Sequence, residues 1–420
     1  MSCSIQEYAA RPVNIIDATL REGNQAPGVR FGVAETIAIA RELATLGVDM
    51  IECGHPLASA EEAARVRSVV ELGLGIPVLA HARCDAKDID AVAATGAGWV
   101  GVVLGINEIS RRARVGGWST ERVKRTIADA VRHAHGAGLR VRCTIEDASR
   151  TPDTDLYEAF DRALDAGADR ICFADTVGIL DPAATAARIT GLRRRFPKTP
   201  IEVHFHNDRG LALANALAAV DAGAEWVSAS VNGLGERCGI TDLVPLLGNL
   251  HFTGNRPLPR GDCLAGISRA VAAFARKPLP DQAPIVGRDA FVHVAPMHRR
   301  AIEREEQAYN WINPDIFGFR NSLAPTALPS DVAELINAPL VIPATELRYH
   351  RAGPGTRYVM LDQRLVPDCR QYCIVRDIPH LSTAAPGHVD RHSHAVDSLF
   401  LFLGREQGSG QRVEVNGWLG

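Results

Sequence analysis

Residues 137–174 read AGLRVRCTIEDASRTPDTDLYEAFDRALDAGADRICFA. An apolar, β-branched run at Leu139–Ile145 is followed by a helical pattern and then by a second apolar run at Arg170–Ala174. Gly138 and Gly167 stand where a helix should end before the next strand begins. Two strands joined by a long helix are typical of a parallel crossover. The stretch therefore predicts a strand–helix–strand unit.

The same alternation runs through the first 250 residues and makes the chain an α/β protein. The strand predictions are Val13–Ile16, Asp49–Cys53, Ile76–Ala80, Trp99–Leu104, Leu139–Ile145, Arg170–Ala174, Ile201–His204 and Trp226–Ser230. Helical patterns lie near residues 33–47, 60–73, 86–95, 119–137, 154–167, 182–196 and 209–223, with another after Gly239. Eight such units predict a closed (β/α)8 TIM barrel rather than an open doubly wound sheet, which uses fewer strands.

The chain is longer than one barrel needs. Its 420 residues exceed the roughly 250 of a typical barrel. Proline-rich segments follow the last barrel unit, and short apolar runs separated by turns follow those. We therefore predict a catalytic barrel over residues 1–255, a small, mainly helical lid or subdomain over 256–330, and an all-β segment over 331–420.

Composition excludes several classes of protein. A net charge of -3 gives no broad positive field, so no nucleic-acid partner is expected. No run approaches the roughly 20 apolar residues of a membrane span and the start does not resemble a secretory signal, so we expect no membrane partner and a cytoplasmic location. The 9 cysteines form no CxxC pair, which argues against a zinc ribbon or a disulfide framework.

Polar side chains follow most of the predicted strands, at the end of the barrel where active sites form. They are Arg21, Glu22, Asn24, Gln25, His81, Arg142, Thr144, Glu146, Asp147, Asp175, Thr176, His204, His206, Asn207, Asp208, Asn232 and residues 233–237. His204 and His206 alternate along one strand and therefore project to the same side. With a carboxylate, for which Glu22 is the leading candidate, they could chelate a divalent metal. Alternatively, the two histidines only form hydrogen bonds in a polar pocket.

Three sequence motifs resemble those of a known family of proteins. They are DATLREGNQ at residues 17–25, HFHNDRGLA at residues 204–212 and GLGERCG at residues 233–239. Their order and spacing over residues 12–325 resemble the homocitrate synthase/2-isopropylmalate synthase family, part of the metal-dependent Claisen-condensing superfamily that includes HMG-CoA lyase. EDASR at 146–150 and FADTVGILD at 173–181 resemble nitrogen-fixation-type homocitrate synthases, while GIT at 239–241 is similar to the lysine-pathway enzymes.

The resemblance implies a Claisen condensation of acetyl-CoA, the co-substrate, with a 2-oxo acid bound to a divalent metal. The family's metal ligands match Glu22, His204 and His206, and its polarising arginine matches Arg21. The donor set accepts Zn, Mn, Mg or Fe. The family's proton-abstracting glutamate matches Glu146, and its partners from the segment after the barrel are matched by His293 and Tyr309. These last two could instead be ordinary polar residues of a helical subdomain.

The same resemblance implies an acidic 2-oxo acid, such as 2-oxoglutarate, oxaloacetate or a phosphono-oxo acid. Arg142 matches an arginine that clamps a distal carboxylate in the homocitrate branch, and His81 and Thr144 match companion positions. Gln25 and Thr176 complete the predicted substrate-binding set. A guanidinium suits a carboxylate geometrically. Alternatively, Arg142 pairs with Asp147 or with another carboxylate of the barrel.

Two features depart from the family pattern. Ile240-Thr241 stands where related enzymes often have an asparagine, so no fourth protein ligand is expected there, and Cys238 is either incidental or a mobile-loop thiol. In the tail, GHVDRHSHAVD at residues 387–397 resembles the first metal motif of a cupin and offers a possible second metal site. Its candidate ligands are His392, His394 and Asp397. A cupin needs a later histidine and none follows, so a structural, dimerising or ligand-sensing role is the other interpretation.

The leading functional prediction is an acyl-CoA:2-oxo-acid acyltransferase similar to homocitrate synthase, acting on small molecules as a homodimer. One alternative is a metal-dependent lyase or aldolase of the HMG-CoA lyase type, because a metal and Arg21 would stabilise an enolate in either direction. The other is a non-catalytic metabolite sensor. Release of a thiol from acetyl-CoA distinguishes the first from both others.

Overall fold

The computed structural model describes residues 12–323 and, further along the chain, the backbone of five strands. The chain divides into two compact units, Met1–Ala324 and Pro325–Gly420. The first contains the barrel together with residues 256–324 of the segment predicted as a helical lid or subdomain. Each unit is described by itself.

Eight parallel strands close into a barrel in the first unit, which confirms the predicted TIM-barrel architecture. The strands are β1 (Asn14–Asp17), β2 (Met50–Glu52), β3 (Val78–Arg83), β4 (Trp99–Gly105), β5 (Arg140–Glu146), β6 (Arg170–Asp175), β7 (Ile201–Phe205) and β8 (Trp226–Ala229). Each strand pairs with the next in sequence, and β8 pairs with β1 through Ile16 and Ser228. Every predicted strand overlaps an observed one.

Helices connect the strands around the outside of the barrel. They are α1 (Val33–Leu46), α2 (Ala60–Glu71), α3 (Ala86–Ala93), α4 (Glu108–Arg114), α5 (Thr120–Gly136), α6 (Asp153–Asp165), α7 (Pro182–Arg195), α8 (Ala212–Asp221) and α9 (Leu243–Phe252). The sequence prediction missed α4, because its 7 residues are too few for a helical period to stand out. Gly138 follows α5 with φ at 80°, the left-handed value that ends a helix.

Strand alternation separates the core from the barrel interior. On β5, Val141, Cys143 and Ile145 are buried in the apolar core between the barrel and its helices. The residues between them point the other way: Arg142 and Thr144 line the cavity at the barrel mouth. The period of two along a strand therefore places polar chemistry inside the barrel and apolar packing outside it.

The segment after the barrel contains α10 (Leu264–Phe274), β9 (Val292–His293), α11 (Pro296–Ile302) and β10 (Ser322–Leu323). The two short strands pair in parallel. Phe317 is buried, with 1% exposure, and its ring stacks on that of Phe291. Among the described residues, no helix is both long and apolar enough to cross a membrane.

The second unit contains a five-stranded sheet. Its strands, in sheet order, are β11 (Leu340–Val341), β12 (Thr356–Leu361), β13 (Gln371–Asp377), β14 (Asp397–Arg405) and β15 (Val413–Trp418). The sheet is antiparallel except that β13 and β14 are parallel, whereas the strands of a jelly roll are antiparallel. Asp397 is the first residue of β14, and His392 and His394 lie outside the described residues.

Candidate functional site

A cavity of about 370 Å³ opens at the C-terminal ends of the barrel strands. All of the site residues predicted within the barrel line it: Arg21, Glu22, Gln25, His81, Arg142, Thr144, Glu146, Thr176, His204 and His206. They come from five different strand ends and the loops that follow them. The structure therefore brings together in space a set that the sequence spreads over almost 190 residues.

Three buried side chains in this cavity form a possible metal-binding cluster. Glu22, His204 and His206 have exposures of 2%, 7% and 5%. Their ligand atoms all lie within 4.8 Å of one another. The two histidine Nε2 atoms are 3.4 Å apart, and Nε2 of His206 lies 4.0 Å from Oε1 of Glu22. Two imidazoles and one carboxylate converging on one point suit a divalent transition metal.

Neighbouring groups hold these ligands in orientation. Nδ1 of His204 is hydrogen-bonded to Oγ of Ser228 at 3.0 Å, which leaves Nε2 facing the cluster. The backbone N–H of Glu236 donates to Oε1 of Glu22 at 3.1 Å. Gly235 permits this approach, because a Cβ there would stand 3.1 Å from Cγ of Glu22. The glycine-rich motif that follows β8 is therefore part of the cluster's support.

The protonation states also suit metal binding. Burial, followed by the charges of His206 and Arg21, lowers the pKa of His204 to about 3. Burial likewise lowers the pKa of His206. Burial acts to raise the pKa of Glu22, but Arg21 and the two histidines outweigh it, and the pKa lies below its ordinary value. Neutral imidazoles and an ionised carboxylate are the forms that bind metals.

Arg21 links this cluster to a chain of ion pairs inside the barrel. Its guanidinium pairs with Glu22 through Nη1 and with Glu52 through Nη2, the latter at 3.2 Å. Glu52 also accepts from Nη2 of Arg142 at 2.8 Å. Nη1 of Arg142 donates to Glu202 at 2.8 Å.

The series of ion pairs continues from Glu202 to Arg170, whose Nε lies 2.9 Å from Oε2 of Glu202. We call this set the ion-pair column; its members are Glu22, Arg21, Glu52, Arg142, Glu202 and Arg170. Three guanidinium groups and three carboxylates alternate, so the charges cancel. Gly101 makes room in β4, because a Cβ there would lie 2.5 Å from Nη2 of Arg142.

The position of Arg142 bears on both of its predicted roles. Its side chain is 2% exposed. Burial disfavours its charge, but Glu202 and Glu52 hold its pKa above the ordinary value. The alternative pairing with a barrel carboxylate is thus present, although Asp147 was the wrong partner: Asp147 pairs with Arg150 at 2.7 Å. Arg142 still lines the cavity, and its role as a substrate clamp remains a prediction.

Two other predicted substrate-binding residues, His81 and Thr176, also line the cavity. Nε2 of His81 is 3.2 Å from Oε1 of Glu52, and burial, followed by the charge of Arg21, lowers the pKa of His81 well below its ordinary value. The hydroxyl of Thr176 accepts a hydrogen bond from the backbone N–H of Asp147 at 2.8 Å. His81 therefore presents a neutral ring to the cavity.

Glu146, the predicted base, lies at the end of β5 with its side chain 22% exposed. Its carboxylate forms an ion pair with Arg114, at the last residue of α4, and both residues line the cavity. The predicted partners of Glu146 are absent from the described cavity lining. His293 is hydrogen-bonded to Asn321 at 3.0 Å, and neither it nor Tyr309 lines the cavity in this chain.

Tyr309 is 42% exposed and stacks on the ring of His298, with 3.8 Å between the ring centroids. Cys238 is exposed in the loop after β8. The catalytic roles of His293 and Tyr309 remain predictions, because neither residue lines the cavity that contains Glu146.

Sequence reasoning missed several residues of the site. Glu52 and Glu202 each follow apolar residues in a buried strand, and a carboxylate at such a position was the available signal. Arg114 gave no signal, because it lies in a short arginine-rich helix that resembles any solvated surface. Arg83 and His55 also line the cavity, where both contact Asp88.

The fold and the site together define a (β/α)8-barrel protein whose mouth offers a divalent-metal donor set beside a polarising arginine. This chain belongs to the HMGL-like family, whose pattern matches residues 12–265. The resemblance stated from the three sequence motifs is thereby confirmed.

Curated relatives of this chain include homocitrate synthases. A homocitrate synthase from Saccharolobus islandicus (strain L.S.2.15 / Lassen #1) is 37% identical over 310 residues, which are 73% of this chain and 67% of that protein. A homocitrate synthase from Sulfurisphaera tokodaii is 35% identical over 310 residues, with the same shares of each chain.

Solved structures share the fold. An HMG-CoA lyase from Brucella melitensis superposes with a TM-score of 0.56 and 22% identity, covering 64% of this chain and 100% of the lyase. The carboxyl transferase domain of Rhizobium etli pyruvate carboxylase has a TM-score of 0.53 and 19% identity, covering 64% of this chain and 48% of that one. Identities at this level show a common fold only.

Proposed function

We propose that this protein is an acyltransferase that condenses acetyl-CoA with an acidic 2-oxo acid, giving a 2-hydroxy-2-carboxymethyl acid and CoA. The observation that carries the proposal is the meeting of Glu22, His204 and His206 with Arg21 and Glu146 in one cavity. The homocitrate synthase relatives support the same chemistry.

The residues of the metal-binding cluster and Arg21 have different roles toward the oxo acid. Glu22, His204 and His206 would hold the divalent metal, which supplies Lewis-acid activation of the oxo group when bound. Arg21 stands beside Glu22 with its guanidinium fixed by Glu22 and Glu52. A fixed guanidinium stabilises the negative charge that develops on the oxo oxygen during attack, and it needs no rearrangement to do so.

Glu146 is the group that takes a proton from the acetyl methyl carbon. The electron pair released there forms the new carbon–carbon bond to the oxo carbon, and the oxo oxygen takes up a proton to become a hydroxyl. Water then cleaves the thioester, which releases CoA and leaves an additional carboxylate on the product. The two substrates and one water account for every atom of the product and of CoA, and no oxidant or reductant is required.

Charge balance favours an acidic acceptor. The charges of the six members of the ion-pair column cancel, so a divalent ion held by Glu22 would add two positive charges to the column. A 2-oxo acid with a second anionic group neutralises both. We assign the contacts with this acid to the cavity-lining residues Gln25, His81, Arg142, Thr144 and Thr176. The predicted homodimer and cytoplasmic location accompany this proposal.

The test is a panel of acceptors assayed for thiol release from acetyl-CoA, with the product identified by mass. The panel contains 2-oxoglutarate, oxaloacetate, phosphonopyruvate, pyruvate and 2-oxoisovalerate. We expect release with an acidic acceptor and a product heavier by one acetate unit. Release with 2-oxoisovalerate alone would overturn the charge argument. Cleavage of 3-hydroxy-3-methylglutaryl-CoA without any condensation would instead identify a lyase.

A further inference from the structure

Four arginine side chains line the cavity at the barrel mouth, and they differ in what holds them. Two belong to the ion-pair column. Arg83 is held by both oxygens of Asp88, through Nε at 2.7 Å and Nη2 at 2.8 Å. Among the described residues, Arg114 pairs only with Glu146. One cavity arginine therefore has the proposed base as its partner.

The pair of Arg114 and Glu146 can exchange partners more easily than the column can. The Arg114 side chain is 45% exposed and that of Glu146 is 22% exposed, whereas the Arg142 side chain is 2% exposed. Water screens an exposed pair and can solvate each group when the pair separates, so breaking it costs little. Breaking a buried pair leaves an uncompensated charge. Arg114 is thus the cavity cation that is free to take a different anion.

The pairing matters for proton transfer. A guanidinium beside a carboxylate favours the charged carboxylate and opposes uptake of a proton. While Arg114 holds Glu146, a carboxylate oxygen of the glutamate is occupied by the guanidinium. Departure of Arg114 leaves a lone pair of that oxygen free to accept the proton of the acetyl group.

The position of Arg114 indicates which anion displaces the glutamate. It ends α4, whose last turn contains three arginines, Arg111, Arg112 and Arg114, against the single acid Glu108 in the helix. The Arg112 side chain is 75% exposed, and that of Arg83, also at the rim, is 60% exposed. Such a rim attracts a polyanion, and a guanidinium binds phosphate with matched geometry. Acyl-CoA carries phosphates, and its acetyl end must reach the cavity.

We propose that Arg114 is a positioning residue that holds Glu146 until a phosphate of the incoming acyl-CoA takes its guanidinium, so that the base is released only when the thioester has arrived. The inference rests on the proposed acetyl-CoA condensation. It adds to that reaction a residue outside the motifs of the sequence, and it couples binding of the remote phosphates to proton abstraction at the acetyl group.

The kinetic test compares two thioesters and two variants. Acetyl-CoA has the phosphates, whereas S-acetyl-N-acetylcysteamine lacks them. In Arg114→Gln we expect the KM for acetyl-CoA to rise about 10- to 100-fold, the range for loss of a hydrogen bond between charged groups. We expect kcat with the phosphate-free thioester to rise above that of the wild type, because Glu146 is already free. Arg195→Gln, which alters an exposed arginine of α7 that pairs with Asp161 outside the cavity lining, should change neither.

A binding measurement decides the phosphate contact without turnover. We expect Arg114→Gln to weaken binding of CoA by about 10- to 100-fold in calorimetry. Glu146→Gln should tighten CoA binding, because it removes the competing anion, and should have no such effect when combined with Arg114→Gln. Arg195→Gln should bind CoA as the wild type does.

The outcomes separate the two proposals. Equal losses of turnover with both thioesters in Arg114→Gln, or unchanged CoA affinity, would overturn the role of Arg114. A wild type that releases no thiol with any acceptor would overturn the proposed function, while the CoA affinities of the variants would still decide whether Arg114 and Glu146 compete.

Discussion

Replacing Glu202 with glutamine removes one negative charge from the ion-pair column while keeping the shape of the side chain. Glu202 is 0% exposed, and its oxygens lie 2.8 Å from Nη1 of Arg142 and 2.9 Å from Nε of Arg170. Both arginines are at most 2% exposed, so water cannot replace the lost charge. Removing one partner of a buried pair costs about 3–5 kcal/mol. We expect Glu202→Gln to lower the free energy of unfolding by about 3–5 kcal/mol. A typical protein has about 5–15 kcal/mol in total.

Urea unfolding followed by tryptophan fluorescence measures this loss, with Glu108→Gln as the control. Glu108 also pairs with an arginine, Arg112, at 3.2 Å, but its side chain is 71% exposed. The control should lose less than about 0.5 kcal/mol, as exposed pairs within a helix do. If Glu202→Gln unfolds within about 1 kcal/mol of the control, the column does not behave as a buried network and the reasoning from burial is wrong.

Three further predictions follow from the site. Arg21→Lys should lower kcat about 100-fold with little change in KM, because the group that stabilises the developing charge is displaced; steady-state thiol release measures both. Ser228→Ala should weaken metal binding about 10- to 100-fold in competition with a chelator, since His204 loses the partner that orients it; equal affinities would refute this. Burial raises the pKa of Asp242 to about 7, so the folded chain keeps a proton that the unfolded chain has lost above about pH 4. Stability is therefore full below pH 4 and is lost as the pH rises through 7. The wild type should lose at most about 1.4 kcal/mol per pH unit relative to Asp242→Asn in urea unfolding between pH 5 and 7.

The barrel and the metal-binding cluster could be predicted from the sequence because both rest on local patterns. Apolar strands alternating with helices gave the eight strands, and the spacing of His204 and His206 placed both rings on one side of β7. Alternation along a strand determines the side to which each side chain projects. Because active sites of such barrels form at the C-terminal ends of the strands, polar side chains at those ends can be assigned to the barrel mouth.

The partners of the charged residues could not be predicted, because they depend on contacts between distant strands. Arg142 pairs with Glu52, 90 residues away in sequence, and with Glu202, 60 residues away. Nothing local in β5 specifies either carboxylate. The pairing of Arg114 with Glu146 joins a surface-like helix to a strand end, and the sequence prediction had omitted that helix.

We propose that Glu22, His204 and His206 hold the metal on which condensation depends. The most direct measurement is thiol release from acetyl-CoA with 2-oxoglutarate or another active acidic acceptor, by chelator-stripped protein titrated with a divalent metal. We predict no release without metal, a rise that saturates at one metal per chain, and no rise in Glu22→Ala at any metal concentration. Release by the stripped wild type, or restoration of Glu22→Ala by metal to wild-type rates, would contradict the account.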